Sequence, residues 1–372
     1  MRHNPVMVSD PIAWLAQTDS DLPVQFFSAA ALERRHQLFR AGFPGEVTFA
    51  VKANPGPAVL AQLVAGGMRA FDVASPEEIA LVRAALPAAR LHYHNPVRSM
   101  AEIACGMAAG VTSWSIDEPQ ELQKLIAAGV TGEVAVRFAL PVKGAAYDFG
   151  AKFGATPALA AALLRAVATA GLTPSLTFHV GTQCPTPAPW AAYMTEAAAI
   201  VRSADVAIAR LNVGGGFPSA RHGGTPDYTS FFKVIAAGLE LFEQRPALVC
   251  EPGRALVADA FAYAAQVKSI RLGRVYLNDG IYGGLSEFPS IGLPGFRVIG
   301  PGGVEKTGAG LLAAVYGPTC DSLDQLPGEI ALPATLAPGD WLLFRAMGAY
   351  LFGMTTRFNG YGTWDSVAVT DL

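Results

Sequence analysis

Lys52 directly follows the run VTFAV (47–51) and precedes Ala-Asn-Pro. Such a place at the mouth of a dry barrel favours the neutral amine that forms a Schiff base with a carbonyl. It equally suits a lysine that lays its stem on apolar surface and its head in water. Glu251 closes another apolar run, ALVCE (247–251), and leads into Pro252-Gly253-Arg254. A carboxylate and a guanidinium three residues apart suit a cationic ring nitrogen and a phosphate, or else a surface ion pair. Gly214, Gly215 and Gly216 let backbone N–H groups approach an anion, or simply make a tight turn. His179 could act as acid, base or stacking ring, although a histidine in an apolar run is more often structural. Asp72 and Arg137 lie inside apolar runs of their own. In YGPTCDSLD (316–324), a Gly-Pro turn presents Cys320 and Asp321 on a loop. A thiol can donate a proton and the adjacent carboxylate can grip an ammonium; a buried Cys with an Asx-turn is the plainer alternative.

These residues need elements to hold them. Eight short apolar runs lie between residues 24 and 262: 47–51, 70–73, 91–95, 112–116, 133–138, 175–180, 206–213 and 247–251. Their continuous apolar character predicts parallel strands covered on both faces. The Ala/Leu-rich stretches between them have helical spacing, as in 76–86 and 118–129, the latter followed by Gly129 as a C-terminal stop. Eight strand–helix repeats over this length predict a (β/α)8 TIM-type barrel over 24–262; an open doubly wound sheet fits the same count. In a barrel the strand ends converge on one mouth, so Lys52, Asp72, His94, Asp117, Arg137, His179, the three glycines and Glu251 would meet there. Beyond residue 262, dense Gly and Pro and short alternating runs predict a β-domain formed by 263–372 together with 1–23, with 22–28 contributing a strand.

The chain has 372 residues, 51% of them apolar, which is enough for a large core and a second, smaller unit. No apolar run is long enough to span a bilayer, and the N-terminus shows no export signal. A formal charge of −3 without a basic block argues against nucleic-acid and membrane partners. The four cysteines lack metal-ligand spacing and are expected as reduced thiols of a cytoplasmic protein; no metal site is expected.

Ten ordered motifs narrow the reading: FAVKAN (49–54), FDVAS (71–75), YHNPV (93–97), HVGTQC (179–184), GGGFP (214–218), EPGR (251–254), NDGIYG (278–283), YGPTCDSLD (316–324), MGAY (347–350) and FNG (358–360). In order and spacing the chain resembles the fold-type III pyridoxal-phosphate (PLP) decarboxylases, which include ornithine, lysine and diaminopimelate decarboxylases. The resemblance implies a PLP-bearing barrel, a β-domain that completes the site, and a homodimer with shared active sites. It makes Lys52 the Schiff-base lysine, His179 the histidine stacked on the ring, and Glu251 the partner of the protonated ring nitrogen. Gly214, Gly215, Gly216, Gly253, Arg254 and Tyr350 match phosphate-site positions, and Thr182 falls where a nearby serine is common. Asp72 and Arg137 match residues that support the ring and its partners. Cys320 and Asp321 match a loop donated by the neighbouring subunit, with Cys320 as the donor of a proton to Cα.

The resemblance points to a basic amino acid, ornithine or lysine, as substrate. Diaminopimelate decarboxylases carry an arginine-bearing segment that this chain lacks. Tyr282 and Asp321 are the expected substrate contacts. The ornithine enzymes place a second aspartate near the position of Ile291, and LSEFPSIGLPGF (285–296) holds only Glu287 as an acid. Glu287 is therefore a further candidate for the distal amine, and another diamino acid is the alternative substrate. A PLP racemase would share the barrel but place an arginine at the ring nitrogen, against Glu251. A non-catalytic PLP-binding paralogue is the remaining alternative.

Overall fold

The computed structural model describes residues 8–141 and 152–372. The described residues divide into two compact units: 36–141 with 152–218 and 226–255, and 8–35 with 219–225 and 256–372.

The first unit is a closed parallel barrel. Its strands are Ala70–Val73, Arg90–Tyr93, Ser113–Ile116, Glu133–Phe138, Thr173–Phe178, Arg210–Asn212 and Ala247–Cys250, with a first strand split at Thr48 into Glu46–Val47 and Phe49–Ala50. The split closes the ring, because Phe49–Ala50 pairs with Ala70–Val73 while Glu46–Val47 pairs with Ala247–Cys250. Helices follow the strands, several opened by a hydroxyl cap and a proline. Ser75 accepts from the Glu78 N–H ahead of Pro76–Ala85, and Thr156 accepts from the Leu159 N–H ahead of Pro157–Thr169. The predicted helices at 76–86 and 118–129 are observed as Pro76–Ala85 and Pro119–Ala127.

The strands depart from continuous apolar character. Tyr93 and Trp114 stack on each other on the helix-facing side, 5.8 Å between centroids. The opposite faces of the same strands carry His92, Ser113 and Ser115, followed around the barrel by Glu133, Ser175 and Arg210. Large apolar residues thus pack outward under the helices, while small, polar and charged residues fill the interior that bulky branched residues usually occupy.

The second unit is a curled mixed sheet. Phe261–Arg271 is its spine, pairing with Trp341–Arg345, Arg274–Leu277 and Val24–Phe27. Val24–Phe27 is the strand expected from 22–28 in this sheet, so the barrel begins later than the residue 24 read from sequence; its alternating apolar side chains belong to this core. Gly310–Tyr316 and Gln325–Pro333 form a long antiparallel pair on one side, and Phe296–Ile299 borders Trp341–Arg345 on the other. Among the described residues no helix is long and apolar enough to cross a membrane, and the four cysteines are unbridged.

Candidate active site

Barrel strands end where the sequence becomes polar, and the ends converge. Ligating atoms of Asp72, His94 and Glu251, from the second, third and eighth strands, all lie within 4.8 Å of one another. Glu251 Oε1 is 2.5 Å from His94 Nδ1 and accepts a short hydrogen bond from Asn212 Nδ2. Burial pushes the Glu251 carboxyl up, but His94, Lys52 and Asn212 outweigh it and hold the group down at about 2. Asp72 is the opposite case. Only 4% exposed, it is pushed well above the usual carboxylate range by burial and by the Glu251 charge, against the pull of Lys52. Two neighbouring acids are thus driven apart in acidity, one ionised and one inclined to keep its proton.

His179 follows the sixth strand. Burial, reinforced by Arg137 and Lys52, lowers its pKa to about 3, so the ring is neutral and its Nδ1 accepts from the Gly181 N–H at 3.1 Å. Arg137 stands on the fifth strand. Burial lowers its pKa while the charges of Glu251, Asp117 and Asp72 support its cation. Thr182 is buried on the loop after His179, and Arg254, also buried, opens the short helix Arg254–Val257.

Lys52 differs from expectation. The strand ends at Ala50 and the chain turns through a 3-10 turn, Val51–Ala53, in which Lys52 is exposed. Its charge nevertheless acts on Asp72, Glu78, His179 and Glu251.

The glycines are required by close packing. Gly214 has φ +65°, and a Cβ there would lie 2.3 Å from the Phe178 carbonyl oxygen. A Cβ on Gly215 would lie 2.7 Å from the Glu251 carbonyl oxygen and 3.3 Å from His179 Nε2; one on Gly216 would meet the Gly181 oxygen at 2.6 Å. These residues pin together the loops after the sixth, seventh and eighth strands. Gly253 packs against the lysine turn itself, its would-be Cβ 2.8 Å from that of Ala53.

Within the β-unit, Tyr282 donates to Asp321 Oδ2 at 2.5 Å, and Asp321 Oδ1 accepts from the Leu323 N–H at 2.9 Å. Cys320 is exposed, its N–H and Sγ both directed at Asn359 Oδ1, at 3.2 and 3.1 Å. Phe358 packs on the Tyr282 ring at 5.0 Å. The FNG and NDGIYG motifs thus hold the Cys320–Asp321 loop. Buried Asp324 completes the hold, accepting from the Ile281 N–H and from Thr319. Glu287 is half-buried at the start of the helix Phe288–Ile291. Tyr350 has φ +63° at the start of Leu351–Met354, a conformation a bulky residue rarely adopts and one associated with functional sites.

His94 was expected at the mouth from its strand-end position but without a role, and Asn212, which also bonds Glu251, was not among the residues read from sequence. The signal was present, since both sit at strand ends.

Residues 29–258 match the family model described as "Pyridoxal-dependent decarboxylase, pyridoxal binding domain". The chloroplastic ornithine decarboxylase of Nicotiana glutinosa is 33% identical over 87% of this chain and 78% of its own. Antizyme inhibitor 2 of Xenopus laevis is 29% identical over 88% and 76%. The crystal structure of Vibrio vulnificus lysine/ornithine decarboxylase complexed with putrescine superposes with a TM-score of 0.81, at 26% identity, over 93% of this chain and 94% of that one. The chain belongs to the pyridoxal-dependent decarboxylase family. It is a PLP-dependent amino-acid decarboxylase. The residues fit the cofactor: Asp72 Oδ1 is buried with no hydrogen-bond partner among the described residues, beside an ionised Glu251 suited to a protonated ring nitrogen.

Proposed function

We propose that the protein removes the α-carboxyl group of ornithine or lysine to give the corresponding diamine. The observation that carries this reading is the meeting of Asp72, His94 and Glu251 at the strand ends, within the field of Lys52. When bound, the cofactor supplies an electron sink for the pair left on Cα as CO2 departs. Lys52 provides the primary amine that attaches it. Glu251 accepts the ring N–H and keeps that nitrogen protonated. Neutral His179 would stack on the cofactor ring, where a cationic imidazole would be disfavoured, and Asp72 and Arg137 would support the ring and its partners. Gly214, Gly215, Gly216, Gly253, Arg254, Thr182 and Tyr350 serve the phosphate.

Cys320 Sγ–H delivers a proton to Cα after the bond to the carboxyl carbon breaks, and Asp321, oriented by Tyr282, takes the distal ammonium. Glu287 is the second acid for that end. Cys320 is exposed within its own chain, which suits a loop serving the site of a second copy in a homodimer. CO2 release and amine identity, measured on L- and D-ornithine, lysine, arginine and diaminopimelate, test the reading. Putrescine or cadaverine is the expected product. Chiral inversion without CO2 would mark a racemase, and cofactor absorbance with no reaction a non-catalytic protein.

A further inference from the structure

A run of hydrogen bonds leaves Glu251 and enters the barrel interior. Arg210 Nε donates to Glu133 Oε2 at 2.6 Å, an ion pair in which Glu133 is the acceptor. Ser113 therefore gives its single hydroxyl proton to Glu133 Oε1, at 2.8 Å. Its oxygen can then only accept from His94 Nε2, at 3.0 Å. This arrangement assigns a hydrogen to Nε2 of His94. His94 Nδ1 and Glu251 Oε1, 2.5 Å apart, are close enough to share one proton, and Asn212 Nδ2 faces both atoms. The charged and titratable groups around the pair are Asp72, Arg137 and Lys52 at the mouth, and His92 and Arg210 in the interior. His92 stacks on His94 at 5.5 Å and is kept neutral, chiefly by burial.

We propose that His94 is a positioning residue and proton reserve for Glu251: the Ser113–Glu133–Arg210 network locks His94 as the Nε2–H form, and the His94–Glu251 pair, not Glu251 alone, holds the proton that meets the cofactor's ring nitrogen. This rests on the functional reading above, in which Glu251 faces that nitrogen. The proton shifts along one hydrogen bond, from Nδ1 to Oε1 and back, and no ring rotation is needed. An isolated glutamate lacks this second seat.

The test uses the cofactor-loaded protein carrying PLP labelled with 15N in the ring. The 15N resonance and the visible absorbance are followed across pH for native protein, His94→Gln, His94→Ala and Ser113→Ala. Glutamine keeps the volume and an amide donor toward Ser113 but holds no second proton. His94→Gln is expected to move the resonance and to shift the absorbance midpoint by about one pH unit or more. Ser113→Ala should shift both in the same direction, and it carries the test with His94→Gln if His94→Ala does not fold. Identical resonance and midpoint in native and His94→Gln protein would overturn the proposal. Native protein that takes up no cofactor would instead overturn the functional reading.

Discussion

The Tyr282 hydroxyl donates to Asp321 Oδ2 at 2.5 Å, joining the NDGIYG segment to the loop that carries Cys320. The bond holds the Asp321 carboxyl below the usual carboxylate range and raises the Tyr282 phenol. Asp321 is therefore an oriented anion, suited to an ammonium. Asp321→Asn is expected to raise KM for ornithine or lysine roughly tenfold or more, with a smaller change in kcat, because a charged hydrogen bond to substrate is lost. Tyr282→Phe should raise KM less, since the charge stays and only its orientation loosens. Steady-state kinetics check both; a fall in kcat at constant KM would count against a substrate-binding role.

Glu251→Gln keeps the volume but removes the negative charge that His94, Lys52 and Asn212 stabilise. The expected result is a protein that still takes up cofactor and loses roughly a hundredfold or more in kcat, as for removal of a preorganised charge. Cofactor content by absorbance and turnover by CO2 release separate the two effects. A variant that turns over like the native protein would remove Glu251 from the chemistry.

Gly214→Ala places a methyl group 2.3 Å from the Phe178 carbonyl oxygen at a φ of +65°. Backbone cannot yield there as a flexible side chain would. A loss of about 2–4 kcal/mol in unfolding free energy is expected, measured by denaturant titration. Gly129→Ala shares the positive φ but meets nothing within 4 Å, and should cost clearly less.

Asp279 gives the β-unit a pH signature. Burial raises its pKa to about 6, while the Tyr263 hydroxyl and the Gly284 N–H, at 2.6 and 2.7 Å, favour the ionised form. A folded value above the unfolded one means that the acid stabilises the fold below pH 3.8, and that this contribution is lost as pH rises through about 6. Asp279→Asn, neutral throughout, should lack this slope. Unfolding free energies at several pH values across that window decide the point, and equal slopes in both proteins would contradict it.

The barrel and the mouth were legible because polar residues closing apolar runs are visible in one dimension. The runs EVAVRF and AFDV are observed as the strands Glu133–Phe138 and Ala70–Val73. The interior was not legible. In EVAVRF the residues Glu133 and Arg137 alternate with Val134, Val136 and Phe138, and taking the run as apolar throughout hid that alternation. The ion pair of Glu133 with Arg210 joins residues 77 apart in sequence, which no local pattern reveals. Lys52 was recognisable by type and place, but its exposure depends on the turn Val51–Ala53 that follows the strand. The Tyr282–Asp321 bond spans 39 residues and emerges only when the two loops fold together.

The central claim is that this chain is a PLP-dependent decarboxylase of a basic amino acid acting through Lys52. The most direct measurement is CO2 release from L-ornithine and L-lysine by cofactor-loaded native protein and by Lys52→Ala, each assayed with its cofactor absorbance. The account predicts CO2 and diamine in equal amounts from the native protein, and neither firm cofactor retention nor sustained CO2 release from Lys52→Ala. Native protein that holds the cofactor but releases no CO2 from either amino acid, or a Lys52→Ala variant that matches the native rate, would contradict it.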